Sequence, residues 1–79
     1  MNEEAYVDLA ERIRTARKAR QWSQEDLAHR AGLSLRAYRS LERGEAVDPH
    51  YSTLNKLATG LGVPVVELLE EERPLVGAR

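Results

Sequence analysis

Apolar residues recur along this chain at intervals of three and four positions, in blocks set apart by serine, glycine and proline. That spacing gathers side chains on one face of an α-helix, so each block predicts a helix with one buried side. The first runs from about Ala5 to Arg20, with Leu9, Ile13 and Ala16 on one stripe and Val7 and Ala10 beside it. Trp22 follows at the break and is expected to plug the core between the first two helices. Ser23 then reads as the N-cap of a second helix, about Gln24 to Ala31, with Asp26 three residues on in a near relative of the capping box. Acidic Glu25 and Asp26 suit the positive end of that helix. Leu27, Ala28 and Ala31 form its buried face, and Gly32 ends it.

Ser34 caps a third helix, about Leu35 to Arg43, which Gly44 stops. Tyr38 and Leu41 share its inner face, and Leu35, Arg36, Arg39, Ser40 and Arg43 point elsewhere. Two short helices joined by a brief turn containing glycine have the form of a helix-turn-helix. Pro49 then disfavours helix at Asp48. A fourth helix, about Tyr51 to Leu61, places Leu54, Leu57, Ala58 and Leu61 on one face. Gly60 weakens it by roughly 1 kcal/mol relative to alanine, and Gly62 terminates it. Pro64 suits the first turn of a last helix, about Pro64 to Glu72, with Val65, Leu68 and Leu69 turned inward. With no strand candidate, the pattern predicts one all-α domain of five helices over residues 1–79, its core about 6–70 and a flexible tail over 73–79.

Composition narrows the chemistry. At 79 residues a domain buries a small share of its surface and needs a compact core, a staple or a partner. Without cysteine, no disulfide or cysteine-based zinc site can serve as the staple. His29 and His50 match no metal-ligand spacing, so no metal and no cofactor are expected. The polar start Met1-Asn2-Glu3-Glu4 lacks the apolar stretch of a signal peptide, and no apolar run is long enough to span a membrane. The net charge of −1 hides a polarised chain. From Arg12 to Arg43 nine basic residues face three acidic ones, or +6, while elsewhere three basic face ten acidic, or −7. A basic half can face phosphate while the acidic remainder stays in solvent. The plainer reading makes the basic run a solvated helix face.

Trp22-Ser23-Gln24-Glu25-Asp26-Leu27-Ala28, then Ala31-Gly32-Leu33-Ser34, then Leu41-Glu42-Arg43-Gly44 resemble the lambda-repressor-like, Cro/Xre-type helix-turn-helix family. The likeness continues through Leu54, Leu57-Ala58, Leu61-Gly62-Val63 and Leu68-Leu69, covering about Leu9 to Leu69. It implies a five-helix lambda-repressor-like bundle whose second and third helices dock on double-stranded DNA, the third in the major groove. Carried onto this sequence, it makes Leu35, Arg36 and Ser40 base-reading candidates, with Arg39 at the flank. Arg36 can offer a guanine a bidentate fork, Leu35 can meet a thymine methyl, and Ser40 can bond to almost any base. Gln24, Ser34 and Arg43 are the phosphate candidates, fixing register without reading sequence. In the family an arginine of the first helix commonly meets a glutamate near the end of the third; here these are Arg17 and Glu42, expected to form a bidentate, partly buried ion pair.

The chain departs from the family pattern in three places. Leu35 is apolar where a polar base reader is common, Tyr38 takes a place usually held by isoleucine or valine, and Gly60 stands where alanine is more usual. The Tyr38 ring is expected to fill the core, its hydroxyl reaching water or phosphate. His29 is expected on the surface, and His50 either helps cap the fourth helix or approaches the DNA backbone. Ser23, Ser34, Ser40 and Ser52 sit in no nucleophile-elbow pattern, and no phosphate-cradling glycine loop occurs, so an enzyme is not expected. The acidic run Glu70-Glu71-Glu72 reads as a solvated helix end.

The resemblance thus implies a cytoplasmic, bacterial or phage-type transcriptional regulator, a repressor in the first instance, reading a roughly palindromic operator. Since one such domain makes few contacts, a homodimer is expected, formed in solution or only on DNA, through Val66, Leu75 and Val76. The alternative is a protein-interaction module or antitoxin-type partner of another protein, with DNA binding secondary.

Overall fold

A computed structural model describes residues 3–45 and 50–68, with the side chains of the first helix described from Leu9 onward. The helices are α1 (Glu3–Ala19), α2 (Gln24–Ala31), α3 (Leu35–Glu42), α4 (Tyr51–Leu61) and α5 (Val65–Leu68), and no strand occurs among the described residues. The expected positions of Val7, Pro49 and everything from Leu69 onward, including the rest of the last helix and the tail, lie outside the described residues or side chains.

Local chemistry sets the ends. Ser23 accepts from the Asp26 backbone N–H at 3.0 Å and the Asp26 carboxylate accepts from the Ser23 N–H at 2.8 Å, a complete capping box. The Ser34 hydroxyl accepts from the Ala37 N–H at 3.1 Å at the head of α3. His50 occupies the N-cap of α4, but its side chain makes no capping bond, so of the two roles expected of it the capping one is not met.

The C-terminal ends share one device. After α1, α2, α3 and α4 the chain closes with paired backbone bonds, for example Leu33 N–H to Ala28 O at 2.9 Å and Trp22 N–H to Arg17 O at 3.2 Å. The residue between must take the left-handed conformation. Gly32, with φ 70°, does so without a Cβ penalty, whereas at the end of α1 the position falls to Gln21, with φ 60°. The residue after each turn packs back where it is apolar: Val63 is buried, and Leu33 and Trp22 lie partly buried on the core.

The core joins Leu9, Ile13 and Ala16 of α1, the inner faces of α2 and α4, Tyr38 and Leu41 of α3, and Leu68 of α5. α2 packs on α3 and α4, α4 on α5, and α1 on α3. Gly60 lies where α4 crosses α2: a Cβ there would stand 3.0 Å from the Ala31 backbone nitrogen and 3.2 Å from its Cβ. The absent side chain is what lets the helices approach.

Trp22 is half-buried, not the enclosed plug that its position at the break suggested. The guanidinium of Arg30 lies 4.1 Å from its ring centre and that of Arg20 lies 5.6 Å away, so cations cover part of the ring that protein does not.

Candidate nucleic-acid interface

α2, the turn Gly32–Ser34 and α3 form a helix-turn-helix, and the helical period divides α3 into two faces. Tyr38, Leu41 and Glu42 are buried, while Arg36, Ala37 and Arg39 are exposed and Ser40 is half-exposed. Leu35 does not stand free, as a side chain directed wholly at a base would: it is half-buried against the core. Ala37, which was not among the expected base readers, is exposed beside Arg36.

Glu42 is the hub beneath this face. Its carboxylate takes the Arg17 guanidinium bidentately, Nε to Oε2 at 3.0 Å and Nη2 to Oε1 at 2.8 Å, both side chains being buried. The Tyr38 hydroxyl donates to Oε2, and the Gln24 amide donates to Oε1 at 3.1 Å. Arg14 adds a looser ion pair at 3.6 Å and donates to the Glu42 backbone carbonyl at 2.8 Å. The Tyr38 hydroxyl is therefore spent inside the fold and reaches neither water nor phosphate, contrary to expectation. Burial pushes the Glu42 carboxyl up, but the bonds from Arg17, Tyr38 and Gln24 outweigh it and hold the group below the ordinary range. Burial raises the Tyr38 phenol, and the neighbouring carboxylate raises it further.

The basic run divides. Arg12 donates to the Glu67 and Leu68 carbonyls at 2.7 and 2.8 Å, Arg14 to that of Glu42, and Arg20 to that of Leu61 at 3.0 Å. Arg12 and Arg14 of α1 and Arg20 just after it thus hold carbonyls of α5 and of the C-terminal ends of α3 and α4, the latter two where the helix dipole is negative. Arg17 adds a bond to the Trp22 carbonyl at 2.9 Å. Four of the nine cations that suggested a phosphate-facing surface therefore tie parts of the fold together. The exposed cations of the helix-turn-helix are Arg30, Arg36, Arg39 and, at the end of α3, Arg43, which pairs with Glu45 at 3.0 Å. No group of residues suited to a metal ion occurs among the described residues.

The predicted base-facing residues Arg36, Arg39 and Ser40 thus lie together on the outer side of α3, with Leu35 partly withdrawn. Ser34 is exposed, but its hydroxyl serves the cap. Gln24 is half-buried, and its amide bonds to Glu42 and Arg39. Sequence reasoning missed the latches at Arg12, Arg14 and Arg20; an arginine near a helix end gives no local sign of which distant carbonyl it will meet.

A family model described as helix-turn-helix matches residues 13–68, most of the chain. The chain belongs to the lambda-repressor-like helix-turn-helix family. The match takes in the whole of α2, α3 and α4 and ends at Leu68, so the five-helix arrangement and the family agree. Curated relatives named uncharacterized HTH-type transcriptional regulators, from Mycobacterium bovis and from two strains of Mycobacterium tuberculosis, are 48% identical over 52 residues. Those residues are 66% of this chain but 20% of each relative, so this helix-turn-helix chain spans about a fifth of the length of the proteins it matches. No solved structure matches it.

Proposed function

We propose that this helix-turn-helix chain binds double-stranded DNA as the sequence-reading part of a transcriptional regulator, with α3 lying in the major groove. The observation that carries the reading is the division of α3: Tyr38, Leu41 and Glu42 anchor one side in the core, and Arg36, Ala37, Arg39 and Ser40 occupy the other, without an internal packing role. The major groove admits an α-helix, and an arginine there takes guanine O6 and N7 in a bidentate fork. The similarity to proteins named transcriptional regulators supports the same reading.

In this account Arg36 and Ser40 read bases with Arg39 beside them, and Leu35 offers only its outer edge to a thymine methyl. Ser34 and Arg43 touch phosphate, Arg43 exchanging Glu45 for the DNA backbone. The Arg17–Glu42 pair fixes α3 against α1. Two copies bind a roughly palindromic site, with repression the expected sense and Val66, 56% exposed on α5, a side chain available to the dimer contact. A protein-partner role in place of DNA gains little from α3: Leu35 leans on the core, and exposed Ala37 offers a single methyl. The family's ordinary role is binding and not catalysis, and the side chains of this face are those of a reader.

Selection of bound duplexes from a random pool, at two salt concentrations and with Arg36→Ala alongside, tests the reading. It predicts a defined site, binding that weakens with salt, and one base position relaxed in the variant. Weak, sequence-indifferent retention would overturn it.

A further inference from the structure

The Gln24 amide is the only side chain among the described residues that links the buried hub to the exposed face of α3. Its Nε2 donates to Glu42 Oε1 at 3.1 Å, and its Oε1 accepts from Arg39 Nε at 3.3 Å. The partners leave no choice of orientation: turning the amide over would set its oxygen against a carboxylate and its NH2 against a guanidinium. Glu42 is itself immobilised by Arg17 and Tyr38, so the order runs outward from core to surface. Arg39 thereby spends Nε on an exposed bond to its own chain and keeps its Nη1/Nη2 edge, the edge that offers two parallel N–H groups to a base. An unanchored arginine on a helix surface gives up its rotamer freedom only on binding; this one is partly set beforehand.

We propose that Gln24 is a positioning residue for Arg39, holding that guanidinium ready to read a base, and is not primarily a phosphate contact. The proposal rests on the DNA-binding reading above. It moves Arg39 from the flank of the recognition surface to a sequence-reading place within it, and gives the first residue of α2 a share in specificity without a base contact of its own.

The test compares wild type, Gln24→Ala, Arg39→Ala and the double variant, all in the intact chain, with thermal unfolding as the check that each is folded. In the free protein, the exposed Arg39 Nε–H of 15N-labelled wild type should exchange with solvent more slowly than in Gln24→Ala, while the buried Arg17 Nε–H exchanges alike in both. In site selection, Gln24→Ala and Arg39→Ala should relax the same base position, each by about tenfold, and the double variant should relax it no further. An Arg39 Nε–H unchanged by Gln24→Ala overturns the proposal. So does a Gln24→Ala protein that loses affinity equally for all sequences with its salt slope unchanged, the signature of a lost contact from a neutral side chain to phosphate. Should wild type itself select no site, the DNA reading falls and the proposal with it; a wild-type site with either of the preceding results removes the proposal alone.

Discussion

At Gly60 helix propensity and packing oppose each other. Alanine there gains roughly 1 kcal/mol of helix preference, but its Cβ would come 3.0–3.2 Å from the Ala31 backbone and side chain. Backbone cannot yield as a flexible side chain does, and overpacking typically costs about 1–3 kcal/mol. Gly60→Ala is therefore expected to lower the stability measured by urea unfolding by about 1 kcal/mol, where propensity alone forecasts a gain. Gln21 presents the opposite case, a side chain in the left-handed conformation that glycine adopts freely. Gln21→Gly should raise stability by about 0.5 kcal/mol, read as an upward shift of the same urea midpoint. Both positions show the limit of local reading. Ser23, Ser34 and Gly32 were legible because cap and turn chemistry acts within four residues. The need for glycine at 60 depends on Ala31, far away in sequence, and nothing nearby announces it.

Among the elements, α3 depends most on a single residue. Removing one partner of a buried ion pair costs about 3–5 kcal/mol because the other charge is stranded, so Glu42→Ala should lose about 3 kcal/mol in chemical unfolding. Tyr38→Phe removes one bond while Arg17 and Gln24 still satisfy the carboxylate, and should cost about 1 kcal/mol. Stability should also follow pH through these groups. The folded pKa of Glu42 is depressed, as is that of Asp26, held down first by the Ser23 N–H. Their contributions are therefore present above the unfolded carboxyl value of about 4 and are lost as pH falls through the folded values. Glu42→Gln should show a shallower acid limb than wild type. The Tyr38 phenol is raised, so its contribution is complete below about pH 10 and is lost as pH rises further; Tyr38→Phe should remove that alkaline loss. The pair of Arg17 with Glu42 was legible through the family resemblance, since no periodicity in the sequence links positions 17 and 42. The third and fourth partners were not: a tyrosine on an inner face reads as core, and only the fold reveals that its hydroxyl ends on a carboxylate.

For the whole molecule, counting cations along the chain overstates the surface that faces DNA. The +6 segment is real, but Arg12, Arg14, Arg17 and Arg20 are engaged with helix carbonyls, a turn and Glu42. The salt dependence of DNA binding should therefore respond to α3 and hardly to α1. Arg43→Ala is expected to lower the slope of log K against log salt by about one. Arg12→Ala should leave that slope unchanged and instead lower stability by about 1.5–3 kcal/mol, the range for bonds to a charged group. Fold class and helix order were legible from periodicity and caps, because each helix carries its own apolar face and punctuation. The division of cations between architecture and interface was not, since it is decided by which carbonyls the folded helices bring within reach.

The central claim is that the outer side of α3 is the face that meets DNA. The most direct measurement is a map of backbone amide shifts as a selected duplex is added to the 15N-labelled chain. The account predicts the largest changes from Ser34 to Arg43 and at the start of α2, with α4 and α5 little altered apart from any contact between two copies. Changes concentrated on α4 or α5, with the residues around Arg36 undisturbed, would contradict it.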